Sequence, residues 1–481
     1  YTSTTNLKEF YQYPIYVTQA KDGAYQDLGD VSHTYNFTQQ PMQWLVYKMK
    51  DPFMYKYVKP SWDSGRARGG IMPYLWYTEG ITPIGRETLP LSKHFEGKGH
   101  MVTRTSWEDS GSVMIFKAGP NGNHYHADQG TILLTHNGEE LLSDAGHSSD
   151  YYGNLYFPGY YTQAIGHNVM LVDMNAESQS VGDFENGIAA LRTHPEITQS
   201  FAGNNAMAAV GDLTNVYKNK VSKYTRTLLS SKNGPVFLFD QVNSPEAHAY
   251  NWIFHAEHTN GKSSISYSDN RMTINRPAAR LTMDILSPQA LTSRIRNSDR
   301  DESFIAISSE KMKDADFLAV MQPESKPANA DYASATKPKR IDSNGWIGAM
   351  LNEGSSIHYG FFRVNESSDS GVEGFKTDAS KFSAMLADNK LKEAYFDGKT
   401  FEGYGFGLKF SAPVAASLEV SSSETVLELK SDSPVELTIA IDLKPKSIIH
   451  NGVLLKGWKY NQKTKALSIS LPKGQSKVVV K

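Results

Sequence analysis

Apolar residues in the first 75 positions recur at mixed three- and four-residue intervals, whereas beyond about residue 95 they alternate or run in short blocks. Leu7 to Val17 and Pro41 to Val58 carry the first pattern, as in Trp44, Leu45, Tyr47 and Met49, and predict helices. Asp51-Pro52 interrupts the second of them. Between them, Asp22-Gly23-Ala24-Tyr25-Gln26-Asp27-Leu28-Gly29-Asp30 reads as a loop.

The later pattern is that of strands. Asn-Gly pairs begin at Asn121, Asn137, Asn186, Asn233, Asn260, Asn344 and Asn451, and an Asp-Gly at Asp397. Such pairs favour type I′ hairpin turns, in which both central residues take positive φ. The clearest unit runs from Thr131 to His136, turns at Asn137-Gly138 and returns through Glu139 to Leu142. Short strands follow at Val221 to Leu229, Val236 to Val242, Ala249 to Phe254, Arg271 to Ile274 and Leu281 to Leu286. Glu324 to Asp342, rich in Pro, Ala, Lys and Asp, predicts a long surface loop. The fold class is therefore mainly β: a large antiparallel β-sandwich over 76–390, a few helices before it in 1–75, and a smaller β unit at 391–481.

At 481 residues the chain exceeds one ordinary core, consistent with that division. A net charge of −2 gives no global support for a nucleic-acid or membrane-surface partner, and no apolar run reaches the length of a membrane span. Cysteine is absent, which excludes disulfides, thiolate metal sites and cysteine nucleophiles. The 26 Tyr and 7 Trp suit either β-sheet cores or a carbohydrate cleft. The first residue is Tyr1, so a mature form or a piece of a longer protein is expected.

The chemistry concentrates in Asn123-His124-Tyr125-His126-Ala127-Asp128-Gln129-Gly130, with Asp144 and His167 downstream. On an extended segment His124 and His126 share a face. Two imidazoles and a carboxylate (His126, Asp144, His167) make a donor set that suits zinc, with one position left for water. The competing reading is structural, since a lone His in a β-rich chain is more often packed than ligating. If the Asn137-Gly138 turn closes a two-residue hairpin, Asp144 falls opposite Thr131, and the chain must bend near Asp128 to Gly130 to bring His126 back. Tyr151, Tyr152, Tyr156, Tyr160 and Tyr161 lie between Asp144 and His167 in a Gly- and Pro-containing stretch. A phenol suits proton transfer to or from a weak carbon acid, and aromatic packing is the alternative for each. His255-Ala256-Glu257-His258 is a poor metal pair, because i and i+3 on a strand face opposite ways. Asn36-Phe37-Thr38 and Asn365-Glu366-Ser367 match a glycosylation pattern too short to carry weight, and there is no P-loop, dinucleotide fingerprint or Gly-x-Ser-x-Gly elbow.

From Lys93 to Met174 the chain resembles the heparinase II/III-like polysaccharide lyases. The matching pieces are His94-Phe95-Glu96-Gly97-Lys98-Gly99, Val102-Thr103-Arg104-Thr105-Ser106-Trp107, His124-Tyr125-His126-Ala127-Asp128-Gln129-Gly130, Asn137-Gly138-Glu139, Ser143-Asp144-Ala145-Gly146 and His167-Asn168-Val169-Met170-Leu171-Val172-Asp173. The resemblance implies an (α/α) toroid followed by β-sandwich domains, and cleavage of a uronic-acid polysaccharide by β-elimination. It implies zinc on His126, Asp144 and His167, organising the sandwich beside the cleft. His124, Tyr156 and Tyr161 take the catalytic places, and Tyr160, Asn168 and Arg104 the substrate contacts, with a structural role beside Trp107 preferred for Arg104. Alginate is the first expected substrate, ahead of heparin or heparan sulfate, hyaluronan and ulvan. A bacterial secreted or periplasmic location is expected. A toroid runs to several hundred residues, and only its last helices fit before residue 75. The chain is accordingly expected to be the C-terminal part, with little or no lyase activity alone. A non-catalytic carbohydrate-binding β-protein is the competing class.

Overall fold

The computed structural model describes residues 12–18, 40–120, 126–145, 160–180, 194–217, 220–232, 234–257, 263–296, 303–327, 335–365 and 371–481. Helices come first and then three antiparallel sheets, stacked so that each interface is a separate apolar core.

The interruption expected at Asp51-Pro52 is a helix cap. One helix spans Gln40–Met49 and the next Pro52–Asp63. Asp51 accepts the N–H groups of Phe53 and Met54 at 2.9 Å each, and Pro52 occupies a first-turn position that needs no donor. The expected helix at Leu7 to Val17 is present over 12–17, its beginning lying outside the described residues.

The first sheet is a meander of β1 (Ser92–Phe95), β2 (His100–Arg104), β3 (Ser112–Lys117), β4 (Ile132–His136) and β5 (Glu139–Leu142). Every residue of β2 and β3 is buried, because both faces of this sheet are covered. Val102, Val113, Ile115 and Leu133 pack against Tyr16, Leu45, Val46, Val58 and Trp62 of the helical segment. The alternate residues Met101, Met114, Phe116, Ile132 and Leu134 meet Met207, Leu228, Leu238 and Trp252 of the second sheet.

The second sheet is built on Val236–His255, paired with Phe304–Ser325 in a register that breaks between Asn243 and His248. Its other face, with Phe201, Leu229, Phe237, Phe239 and Leu318, packs on Ile347, Phe362 and Tyr395 of the third sheet. The division expected at 390 crosses paired strands, for Lys381–Ala387 pairs with Lys390–Gly403. The third sheet and its core run from Lys339 to Val480, so the change of sheet falls between Ser325 and Lys339.

Asn137-Gly138, Asn344-Gly345 and Asn451-Gly452 have positive φ at both residues, as type I′ turns require. Those beginning at Asn121, Asn186, Asn233 and Asn260 involve positions outside the described residues. Asp397-Gly398 is no turn. It lies inside Lys390–Gly403 at a register shift, where a Cβ on Gly398 would meet Asp378 Oδ1 at 2.8 Å.

His100 supplies a pH prediction. It is buried beside Tyr13, whose hydroxyl lies 2.7 Å from Nδ1. Burial, reinforced by Lys117 and Lys98, pushes its pKa down to about 3. The unfolded chain therefore takes up a proton near pH 6.5 that the folded chain refuses. This contribution to stability is intact above pH about 6.5 and is lost as pH falls toward 3, with a limiting slope of about 1.4 kcal/mol per pH unit. Urea titrations between pH 6 and 4 should show a flatter dependence for His100→Gln than for the wild type. Equal slopes would refute this role for His100.

Candidate functional site

Four segments meet at one end of the sandwich: 126–131, 143–145, 160–169 and 253–255. Backbone hydrogen bonds stitch them together, from Ala127 N to Thr162 O, Ala145 N to Gly166 O, Ile253 N to Val169 O and Ser143 N to His255 O. Gly166 permits the closest approach, since a Cβ there would lie 2.6 Å from the carbonyl oxygen of Tyr160.

A β-bulge sets how Asp144 enters. β4 and β5 pair as His136 with Glu139 and Thr135 with Glu140, but Leu134 then faces Leu142, leaving Leu141 extra. The simple hairpin that set Asp144 opposite Thr131 is thus shifted by one residue, and the side chains beyond Leu141 are re-aimed.

His126, Asp144 and His167 are all buried and gathered together. His167 Nδ1 lies 2.9 Å from Asp144 Oδ2, and the His126 and His167 rings are 5.2 Å apart. Burial alone would lower the pKa of His167, but the carboxylates of Asp144 and Asp128 leave it raised. Asp144 Oδ1 and His167 Nε2 are buried with no hydrogen-bond partner among the described residues. Orphaned polar atoms of this kind are costly, and a cation would satisfy them. The donor chemistry fits zinc. Among the described residues, however, no group of three or more His, Asp or Glu side chains is already arranged to hold a metal ion, and His167 Nδ1 is engaged with Asp144.

Asn168 is corrected from a substrate contact to a clamp. It is fully buried, its amide donates to the carbonyls of Ile132 and Ser143 at 2.8 Å each, and its oxygen accepts the N–H of His255 at 2.7 Å. No side-chain donor is left for a sugar. Arg104 stands in the structural place preferred for it, beside Trp107, and not on a sugar-facing surface. Buried on β2, it donates to the carbonyls of Tyr16 and Thr18 and stacks over Trp107 at 4.4 Å. Burial, with Arg86 adding to it, pushes its guanidinium down to about 9. It anchors the helical segment to the first sheet. Tyr160 and Tyr161 stand beside the cluster, but both rings are buried with Ala127, Ala145, Val169 and Phe304 and form its wall, not an open catalytic or sugar-binding surface. His124 and Tyr156 lie outside the described residues.

Sequence reasoning missed two groups. His255, set aside as a poor metal pair, joins the site through the hydroxyl of Tyr160, 3.3 Å from its Nε2. His258 is outside the described residues. The other group is a pair of buried ion pairs that hold the segments in place. Lys117 bonds both oxygens of Asp128, two residues after His126, at 2.6 and 2.5 Å. Burial would raise the Asp128 carboxyl, yet Lys117 keeps it below the usual carboxylate range. Arg226 bonds Asp240 through two nitrogens and donates to the carbonyls of Gly130 and Asn168. The Lys117 and Arg226 spacings show no local motif, and only the fold brings these partners together.

A cleft of about 810 Å³ lies elsewhere, between the end of β1, the strand Glu196–Ala202 and the third sheet. It is lined by His94, Glu196, Gln199, Asp378, Asp397 and Lys430 among others, and by none of the candidate catalytic, substrate-binding or metal residues that lie among the described residues.

Stacked antiparallel sheets behind a short helical layer, with a His-Asp-His cluster where the strands end, define the class of protein. Residues 87–317, which contain the whole cluster, match the family model described as Heparinase II/III-like, C-terminal. The match takes in a little under half of the chain, and it is this stretch that is similar to that family's C-terminal domain. No curated protein matches the chain. Among solved structures, a heparinase III superposes with a TM-score of 0.52 at 16% identity, over 79% of this chain and 51% of its own. A mutant of heparan sulfate lyase HepC from Pedobacter heparinus gives 0.53 at 15% identity, over 72% and 51%. A second heparinase III gives 0.52 at 16% identity, over 73% and 53%. The likeness is one of fold, and the chain spans about half the length of these structures. No helix among the described residues is long and apolar enough to cross a membrane.

Proposed function

We propose that this chain is the C-terminal, β-rich portion of a polysaccharide lyase that cleaves a uronic-acid-containing polymer by β-elimination. The observation that carries the reading is the family match over 87–317, which encloses the stitched His126–Asp144–His167 cluster. Heparin or heparan sulfate becomes the first substrate class to offer, ahead of alginate, because the family and the similar structures are named for heparinase and heparan sulfate lyase. Hyaluronan and ulvan follow. A secreted or periplasmic location suits a polymer of that size.

The reaction needs three things: neutralisation of the C5 carboxylate, removal of the C5 proton and protonation of the departing O4. His124 and Tyr156 are assigned to the cleft, His124 near the carboxylate or the reacting carbons and Tyr156 as a proton-transfer group. The remaining groups come from the helical domain expected to precede this chain. The described residues hold the segments that flank these groups. Lys117–Asp128 fixes the segment that leads back to His124, while Asn168 and Arg226 fix the turn through Gly130 and His167. Zinc is assigned to His126, Asp144 and His167, where it would tie three chain segments together beside the cleft.

Mass spectrometry of the digest tests the reaction. Elimination leaves one product end lighter by one water than hydrolysis would, and products carrying a full water would reject the reading. Metal analysis tests the zinc assignment. The wild type should hold about one zinc per chain, and His167→Ala close to none, with a lower melting temperature. Equal zinc in the two proteins would remove His167 from the ligand set.

A further inference from the structure

The third sheet lies at the opposite end of the stack from the helical segment, and one corner of it carries a surface that takes no part in the proposed reaction. Leu443, Val453 and Leu454 are 79, 69 and 61% exposed. Val453 and Leu454 form one arm of a short hairpin with Ile449 and His450, closed by the I′ turn at Asn451-Gly452. Neighbouring residues of a strand point to opposite faces, so exposure of both shows that the hairpin stands clear of the sheet on either side. Leu443 sits in the adjoining turn, where the Asp442 carbonyl accepts the hydroxyl of Tyr460 at 3.0 Å. Lys444 reaches across to Trp458, its ammonium group 5.9 Å from the ring centre, and Trp458 follows Leu454 by four residues. The exposed aliphatic groups therefore share one corner. Soluble proteins usually scatter such side chains, and a concentration of them marks a contact face.

The same corner is strongly cationic. Residues 442–465 carry six lysines and a single acid, Asp442, in a chain whose net charge is −2. That acid is bonded to Lys465 at 2.8 Å. The other five, Lys444, Lys446, Lys456, Lys459 and Lys463, are exposed and form no ion pair among the described residues.

We infer that this corner docks on an anionic phospholipid surface. Aliphatic side chains on turns, rimmed by lysines and flanked by a tryptophan, suit the interface of a bilayer. There the apolar groups reach the acyl boundary while the ammonium groups stay among the phosphates. A hydrated polysaccharide provides nothing in which Leu443, Val453 and Leu454 could be buried. The rings that sugars stack on are also engaged, since Trp458 and Tyr460 pack partly buried against the core of the sheet. A second copy brought onto the corner by twofold symmetry would set lysine against lysine, whereas lipid phosphates neutralise them. The docking is peripheral, for no helix among the described residues is long and apolar enough to cross a membrane. None of these features depends on the lyase reading.

Co-sedimentation with vesicles of phosphatidylcholine and phosphatidylglycerol in equal parts, with pure phosphatidylcholine as reference, measures the contact. Wild type is compared with Leu443→Gln/Val453→Thr/Leu454→Gln and with Lys444→Gln/Lys446→Gln/Lys456→Gln/Lys459→Gln. The control, Lys311→Gln/Lys313→Gln/Lys390→Gln/Lys399→Gln, removes equal charge elsewhere. Every replaced side chain is exposed, so the fold should be retained, which circular dichroism checks. Wild type should bind the anionic vesicles and not the neutral ones. Each ammonium group near such a surface contributes about fivefold, so the lysine variant should bind about a hundredfold more weakly or worse. The apolar variant should bind about tenfold more weakly at low and at high salt, and the control should match the wild type. No binding by the wild type, equal binding to neutral vesicles, or equal losses in the control would overturn the inference. So would undiminished vesicle affinity in the apolar variant, because adsorption by charge alone needs no aliphatic tips. If that variant also turned a dimer into a monomer, the corner would be a protein contact. Heparin fragments are the last comparison: a wild type that bound them through the four lysines and ignored the vesicles would make it a sugar contact instead.

Discussion

Asp240→Ala should destabilise the protein by about 3–5 kcal/mol, the largest stability effect expected of a single substitution here. Asp240 is fully buried and accepts from Arg226 Nε and Nη2, from the Tyr224 hydroxyl and from Trp252 Nε1, at 2.8–3.0 Å. Burial by itself would disfavour the guanidinium of Arg226, and the carboxylate of Asp240 is what keeps it charged. Removing the carboxylate strands that charge between the first and second sheets and orphans two further donors. The damage should reach the site, because Arg226 also holds the carbonyls of Gly130 and Asn168. Urea unfolding is the check: the midpoint should fall sharply in Asp240→Ala. In Arg226→Met/Asp240→Leu, where no buried charge is left behind, it should recover in part. A loss below about 1 kcal/mol in the single variant would mean that water reaches the pair.

The second large effect concerns activity. In the complete enzyme, His124→Ala should lower the rate of polymer cleavage by about 10²-fold or more, the usual contribution of a positioned proton-transfer or charge-neutralising group. Zinc content and melting temperature should stay as in the wild type, since His126 and not His124 is assigned to the metal. Steady-state rates on heparin, read beside metal analysis, decide the matter. Unchanged rates would exclude His124 from the chemistry. A parallel loss of zinc would mean that it serves as a ligand.

Much of the architecture could be read from local patterns. Helix and strand periodicities separate the first 75 residues from the rest, and three Asn-Gly pairs mark genuine I′ turns because small polar and Gly residues tolerate positive φ. The same turn geometry at Asp269-Asn270 and Asp388-Asn389 carried no such motif and passed unnoticed. Asp397-Gly398 misled for the opposite reason. There the glycine serves close packing against Asp378 and Ala379 inside a strand. Local pattern also could not locate the last sheet. The strands at 346–363 are as apolar as those before them, and their sheet is decided by pairing with 381–403.

At the site, residue types were legible and their duties less so. His126, Asp144 and His167 do gather, though a single bulge at Leu141 determines how Asp144 points. Asn168 sits in the most recognisable motif of the chain, yet it spends its amide on the backbone of three segments. Sequence spacing cannot tell a polar group aimed at a ligand from one aimed at a neighbouring carbonyl. The duties of His255 and Arg226 were hidden for a related reason, since the site groups they bond to lie 58–96 positions away along the chain.

The central claim, that this is the β-rich part of a polysaccharide lyase, is tested most directly by ultraviolet absorbance. The complete enzyme and this chain alone are each offered heparin, heparan sulfate, alginate, hyaluronan and ulvan. The unsaturated uronate formed by β-elimination absorbs there, whereas the intact polymers do not. The account predicts a rise with one anionic polymer for the complete enzyme, heparin or heparan sulfate first, and little or none for this chain alone. No rise from either protein with any of the five polymers would contradict the account and leave a binding or structural role in its place.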